Sequence, residues 1–305
     1  MISDRTDLIG NTPLIAATRI SAGIRADIFL KMENLNPGGS VKDRAALAMI
    51  NNAETKGEIR QGGVIIEPTS GNTGVSLAMI CSIKNYHLIV VMPASVSKER
   101  ISIIRAYGAE VILTDAALGM AGAIEIAEKK AADIPGAFIP MQFRNLACVE
   151  AHYQNTGPEI EESLGGFPDF FVAGVGSGGT ITGVAKYFRE KKAKTQIIAV
   201  EPSASPVLAG GQPGNHKIQG IGAGFIPEIL DMSLINDVVG VSDEDALNTA
   251  RLLAEKESIL CGISSGANVR AALELASKPE NTGKKTVTVI CDTGERYFST
   301  ELFNQ

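Results

Sequence analysis

Short apolar runs rich in Val, Ile and Phe alternate with stretches of helical periodicity along most of this chain. The runs are ADIFLKM (26–32), GVIIEP (63–68), HLIVVMP (87–93), AEVILT (109–114), DFFVAGV (169–175), QIIAVEP (196–202) and KTVTVICD (285–292). Runs this short, separated by amphipathic helices, read as strands of parallel sheets joined by crossover helices. Helices are expected near 40–56, 72–84, 97–107, 119–132, 179–192, 243–256 and 265–277. The fold class is therefore doubly wound α/β, and 305 residues suffice for two lobes sharing a cleft. The longest irregular stretch, Pro202 to Pro227, is either a surface excursion or a wall of an active site.

In open α/β sheets ligands bind beyond the carboxyl ends of the strands. Two strands here end in small polar clusters, EPTSGNTG (Glu67–Gly74) and GVGSGGT (Gly174–Thr180), and each cluster opens a helix. In the second, backbone amides, the Ser177 and Thr180 hydroxyls and the positive helix end make a phosphate cradle. Gly174, Gly176 and Gly179 also satisfy GxGxxG, with Glu201 at the end of the next strand, so a dinucleotide is a rival ligand and an NAD-linked oxidoreductase a rival function. In the first cluster, Thr69, Ser70, Asn72 and Thr73 offer a nest suited to a small carboxylate, or simply a well-capped helix start.

Lys42 stands where a helix least favours a cation. PGGSVKDR (Pro37–Arg44) reads as a loop with Ser40 as N-cap, and AALAMI continues as helix. A first-turn lysine opposes the helix dipole, and with partial burial the same opposition favours the neutral amine that Schiff-base chemistry needs. The bland alternative is a solvated helix start in which Asp43 balances the charge. CGISSGANV (Cys261–Val269) sets Ser264 and Ser265 at another helix entry, as caps or as neutral partners of a pyridine nitrogen.

Composition narrows the functions. A net charge of -6 argues against nucleic acid or an anionic membrane as main partner. Cys81, Cys148, Cys261 and Cys291 are far apart and form no CxxC, which fits a reducing cytoplasm and neither zinc nor a disulfide framework. His87, His152 and His216 lack metal-ligand spacing and read as surface or packing residues. MISDRTDLIGNTPL has no signal-peptide pattern, and no apolar run reaches membrane-spanning length.

Taken together, PGGSVKDR, EPTSGNTG, MQF (141–143), NTGPEI (155–160), GSGGT, HKIQGIGAGF (216–225), GISSGA and GERY (294–297) resemble the cysteine synthases, or O-acetylserine sulfhydrylases, of the β-family (fold type II) of pyridoxal-phosphate enzymes. The resemblance runs the length of the chain. It implies two α/β lobes like those of the tryptophan synthase β-chain, with pyridoxal 5'-phosphate in the cleft: a smaller, mobile lobe at 38–146 that closes over substrate, and a larger cofactor-binding lobe from 1–37 and 147–305. It implies that Lys42 carries the cofactor as a Schiff base and is the catalytic base, and that Asn72 meets the cofactor's ring oxygen. Gly176, Ser177, Gly178, Gly179 and Thr180 hold the phosphate, Ser264 faces the pyridine nitrogen, and Thr69, Ser70, Asn72, Thr73 and Gln142 bind the substrate carboxylate. Ser177 replaces the family's usual Thr and keeps the hydroxyl. The implied reaction is β-replacement, O-acetyl-L-serine and sulfide giving L-cysteine and acetate through an α-aminoacrylate. Cystathionine β-synthase-like or serine/threonine dehydratase activity is the alternative on the same scaffold. A homodimer and a serine acetyltransferase C-terminal tail are the implied protein partners. An O-phosphoserine enzyme should carry arginine in the substrate loop, and Ile218–Phe225 has none.

Overall fold

A computed structural model describes residues 4–304; residues 1–3 and 305, which fall in the expected larger lobe, lie outside the described residues. Two sheets organise the chain. The larger has six strands in the order β1 (Leu14–Ala16), β2 (Asp27–Met32), β9 (Lys285–Ile290), β6 (Phe170–Gly174), β7 (Gln196–Pro202) and β8 (Asp237–Val241). Its pairs are parallel apart from β1 on β2, which are antiparallel. The smaller is wholly parallel, in the order β3 (Val64–Pro68), β4 (His87–Pro93) and β5 (Glu110–Thr114).

Helices cover both faces of each sheet, which is why the strands read as continuous apolar runs. In the smaller sheet, α1 (Lys42–Lys56), α2 (Asn72–Lys84) and α3 (Lys98–Ala106) enclose a core with Ile50, Leu77, Val90 and Ile104. On its other face α4 (Gly119–Ala132) covers Ile66, Ile89 and Val91. In the larger sheet, α8 (Asp243–Leu252) and α9 (Ile263–Ala276) close over Leu30, Val172 and Val200. The opposite face is closed by α6 (Gly157–Leu164) and α7 (Gly179–Glu190) over Phe171, Ile197 and Val289. The doubly wound α/β reading holds, with two mostly parallel-sheet lobes.

All seven expected strands and all seven expected helices are present, with ends shifted by a residue or two except at 243–256, where α8 ends at Leu252 and a π-helical turn (Leu253–Glu257) continues it. Apart from short 3-10 turns, three elements went unread. Strands β1 and β8 are short edge strands. The third is a helical stretch from α5 (Ala147–Ala151) through a π-helical turn (His152–Thr156) into α6. Between Pro202 and Met232 no helix or strand forms.

Candidate active site

A cavity of about 420 Å3 opens between the two sheets, at the carboxyl ends of their strands. Volumes of this order accept one cofactor-sized ligand. Lys42 lines it as the first residue of α1. The solvated-start reading fails at its neighbours. Asp43 is fully buried and turns back to accept from the Gly38 amide (2.6 Å) and the Ser76 hydroxyl. Arg44, also buried, donates from Nε to Glu33 Oε2 (2.7 Å) and from Nη2 to Glu159 Oε2 (2.7 Å). Burial pushes Asp43 up to about 6, while Arg44 outweighs burial at Glu33 and holds it down to about 2. Ser40 is not a regular N-cap: its Oγ lies 3.3 Å from the Lys42 amide, and Val41 is the capping position. The loop is tied to the end of β9 by Val41 N donating to Cys291 O (2.8 Å) and Thr293 N to Gly39 O (3.2 Å).

The glycine cluster after β6 forms a second wall, with Gly176, Ser177 and Thr180 on the cavity. Gly178 and Gly179 lie behind it as the turn into α7. Gly178 has φ +86°, a left-handed value that suits glycine. A Cβ on Gly176 would stand 2.4 Å from the Gly220 carbonyl oxygen, so the backbone of 218–222 closes directly onto this loop. Thr180 Oγ1 lies 3.1 Å from His152 Nε2, whose Nδ1 lies 2.8 Å from Thr156 Oγ1. Burial and the nearby Arg44 depress His152 to about 3, so it is a neutral hydrogen-bonding support. That role depends on the π-helical turn and was invisible in the sequence.

From the smaller sheet, Thr69, Ser70, Asn72, Thr73 and Gln142 reach the same cavity. Thr73 Oγ1 donates to Gln142 Oε1 (2.7 Å), which leaves the Gln142 amide N–H groups free. Gln142 is held by a loop in which Met141 adopts φ +56° and the Met141 and Gln142 amides donate to Glu67 (3.1 and 3.5 Å). Glu67 is fully buried, and burial raises it to about 8. Ser264 also lines the cavity, whereas Ser265 Oγ accepts from the Cys291 amide (2.8 Å), which separates the two serines. Asn268, missed in the sequence, bonds Gly174 N (2.7 Å) and Val289 O (2.9 Å) and so fixes the ends of β6 and β9 on the cavity floor. Its signal was weak: one amide one turn beyond GISS in an otherwise small, apolar helix.

The dinucleotide reading loses its acid. Glu201 is buried and accepts from Leu208 N (2.7 Å) and Ala209 N (3.1 Å), so it pins the irregular stretch rather than awaiting a ribose. That stretch supplies Ile218–Ala223 and Phe225 to the cavity and is therefore a site wall. Burial raises the four free thiols, Cys81 and Cys148 to about 12 and Cys291 to about 11, so they stay protonated.

The family model described as pyridoxal-phosphate dependent enzyme matches residues 5–292. The chain belongs to the pyridoxal-phosphate-dependent enzymes. Cysteine synthase 3 of Caenorhabditis elegans is 50% identical over 305 residues, covering 100% of this chain and 90% of that protein. Cysteine synthase of Staphylococcus aureus is 46% identical over 304 residues, 99% of this chain and 97% of the relative. The crystal structure of cysteine synthase from Entamoeba histolytica superposes with a TM-score of 0.96 at 41% identity, covering 100% of this chain and 91% of that one. The donor set suits the family's cofactor. An amine, a helix-start cradle with two hydroxyls and a neutral serine surround one cavity, the complement of an aldehyde, a phosphate and a pyridine nitrogen.

Proposed function

We propose that this chain is a cysteine synthase that converts O-acetyl-L-serine and sulfide to L-cysteine and acetate. One observation carries the reading: Lys42, a helix-start phosphate cradle and a helix-start carboxylate nest open on a single cavity. Full-length identity of 46–50% to cysteine synthases supports it.

When bound, pyridoxal 5'-phosphate supplies an electron sink that acidifies the substrate's Cα–H and allows acetate to leave from Cβ. Lys42 would hold the cofactor through Nζ and, as the free amine, would take the substrate's Cα proton and return it to Cα after sulfide has added at Cβ. Ser177 and Thr180, with the amides at the start of α7, anchor the phosphate against Gly176, Gly178 and Gly179. Asn72 would meet the ring oxygen. Ser264 would meet the ring nitrogen as a neutral partner, which would limit the sink and favour replacement at Cβ over transamination. Thr69, Ser70, Thr73 and the free Gln142 amide bind the substrate carboxylate, with the Asn72 backbone in the same nest.

Residues 38–146 act as the smaller, closing lobe and the remainder as the larger one. In support, the three-stranded sheet has its own cores on both faces. Contacts also cross the cavity mouth: Phe143 packs edge-on against Phe225 at 5.2 Å, and Arg144 pairs with Glu228 at 2.7 Å. A homodimer, a cytoplasmic location and docking of an acetyltransferase tail in the carboxylate nest complete the proposal. Exposed Leu146, Leu35 and Leu8 support a dimer, and four free cysteines support a reducing compartment. Among the described residues no helix is long and apolar enough to cross a membrane.

The test follows the cofactor's visible band as O-acetyl-L-serine and then sulfide are added, with cysteine assayed. A band that shifts with the donor and returns with sulfide, with cysteine released, is expected; a shift without return or cysteine contradicts the proposal. Lys42→Ala should lower turnover by at least about 1,000-fold, and near-normal activity in that variant would remove Lys42 from the chemistry.

A further inference from the structure

The segment that follows β9 touches three parts of the site at once. Besides the bonds to the Lys42 loop, its backbone meets the start of α9, where Gly262 N donates to Asp292 O (3.3 Å) and Gly294 N to Leu260 O (3.1 Å). Its side chains reach the start of α2. Asn72 Nδ2 donates to Asp292 Oδ2 (2.6 Å), and Arg296 Nη1 donates to Asn72 Oδ1 (2.5 Å). A second guanidinium nitrogen, Nη2, donates to the Gly38 carbonyl, four residues before Lys42. Tyr297 Oη donates to the same Asp292 oxygen (2.7 Å). Asp292 and Tyr297 are fully buried and Arg296 is 4% exposed.

The chemistry of these partners removes the usual freedom of an amide. Arginine only donates and a carboxylate only accepts, so neither could serve Asn72 with its amide reversed. One Nδ2–H is then the sole side-chain donor left to Asn72, and Asn72 lines the cavity. Space is cleared for this arrangement elsewhere in the chain. A Cβ on Gly39 would lie 2.5 Å from Arg296 Nη2, and one on Gly262 would lie 2.2 Å from Asp292 Oδ1. The cluster also keeps Asp292 Oδ1 and Arg296 Nε buried without partners, a cost in stability that orientation of a functional group accounts for.

We infer that Arg296 and Asp292 are positioning residues for the cofactor, setting the Asn72 carboxamide and tying it to the loop that bears Lys42. The inference rests on the proposed contact of Asn72 with the cofactor. Through the Gly38 carbonyl and the Asn72 amide, one guanidinium fixes the spacing between the residue that holds the cofactor covalently and the residue that meets its ring. Lysine at 296 would keep the charge but not this two-point bridge.

The test is a double-mutant cycle on affinity for pyridoxal 5'-phosphate, titrated into apoprotein, with the bound band's wavelength as second readout. Arg296→Lys and, independently, Asp292→Asn are each measured alone and with Asn72→Ala. Each single variant is expected to weaken affinity about tenfold and shift the band, and to add less than about twofold once Asn72 is Ala. An equal loss with and without Asn72→Ala would overturn the inference while leaving the cofactor contact intact. Unchanged affinity in Asn72→Ala itself would sink that contact and the inference with it. Should Arg296→Lys fail to fold, the Asp292→Asn arm reads the same coupling.

Discussion

Gly39 has φ +76°, and the space a side chain would need there is filled by Arg296. Gly39→Ala should therefore cost stability by about 1–3 kcal/mol and weaken cofactor binding, which urea unfolding and cofactor titration would read. Wild-type values in both would contradict the packing described. The PGG run was legible as a loop, but its cause was not, because the obstructing guanidinium lies more than 250 residues away in sequence. Lys42, Asn72 and Ser264 could be named because their motifs are local. Glu67 and His152 could not, since burial, and at His152 the nearby Arg44 as well, gives them their character. Folded, Glu67 keeps its proton to about 8, whereas the unfolded chain releases it near 4.5. Folding thus takes up a proton between these values, and stability falls as pH rises through that window, by up to about 1.4 kcal/mol per pH unit. Asp43, raised to about 6, acts in the same direction at lower pH, and His152, neutral when folded but protonated up to about 6.5 when unfolded, acts in the opposite direction below about pH 7, which leaves pH 7 to 8 to Glu67. Unfolding midpoints over that range should flatten in Glu67→Gln; an unaltered slope would remove Glu67 as its source.

At the scale of elements, β-branched runs buried on both faces identified the central strands, and small polar clusters at their ends identified the helix starts that carry the site. The stretch 147–164 escaped because NTGP in its middle reads as a turn, whereas Gly157 is there for contact: a Cβ would meet the Tyr187 ring at 2.7 Å. Strand β1 escaped because three residues carry little periodicity, and β8 because Gly240 interrupts its short apolar run. The loop after β7 has no regular structure because it serves as a wall, braced by Glu201 behind and by Phe225 against Phe143 in front. If that aromatic contact helps to close the mouth, Phe225→Ala should raise KM for O-acetyl-L-serine about three- to tenfold with little change in cofactor affinity. An unaltered KM would show that the mouth closes without it.

Over the whole molecule, the buried ions Lys31, Glu33, Arg44 and Glu159 join the first turn of α1 to β2 and α6, so the helix that presents Lys42 is anchored in the large sheet's side of the molecule. The Asp292–Arg296 cluster anchors the start of α2 in the same way. Both anchors meet the helix starts that carry Lys42 and Asn72 and leave the far side of the small sheet free of them, as the proposed closing lobe requires. The site is built around the amine at the start of α1. Borohydride reduction of the cofactor-loaded protein, followed by proteolysis and mass analysis, locates the lysine that holds the cofactor. A reduced pyridoxyl group on Lys42, and on no other lysine, is the expected result; a label on another lysine, or none on protein that retains the cofactor's band, would contradict the account at its centre.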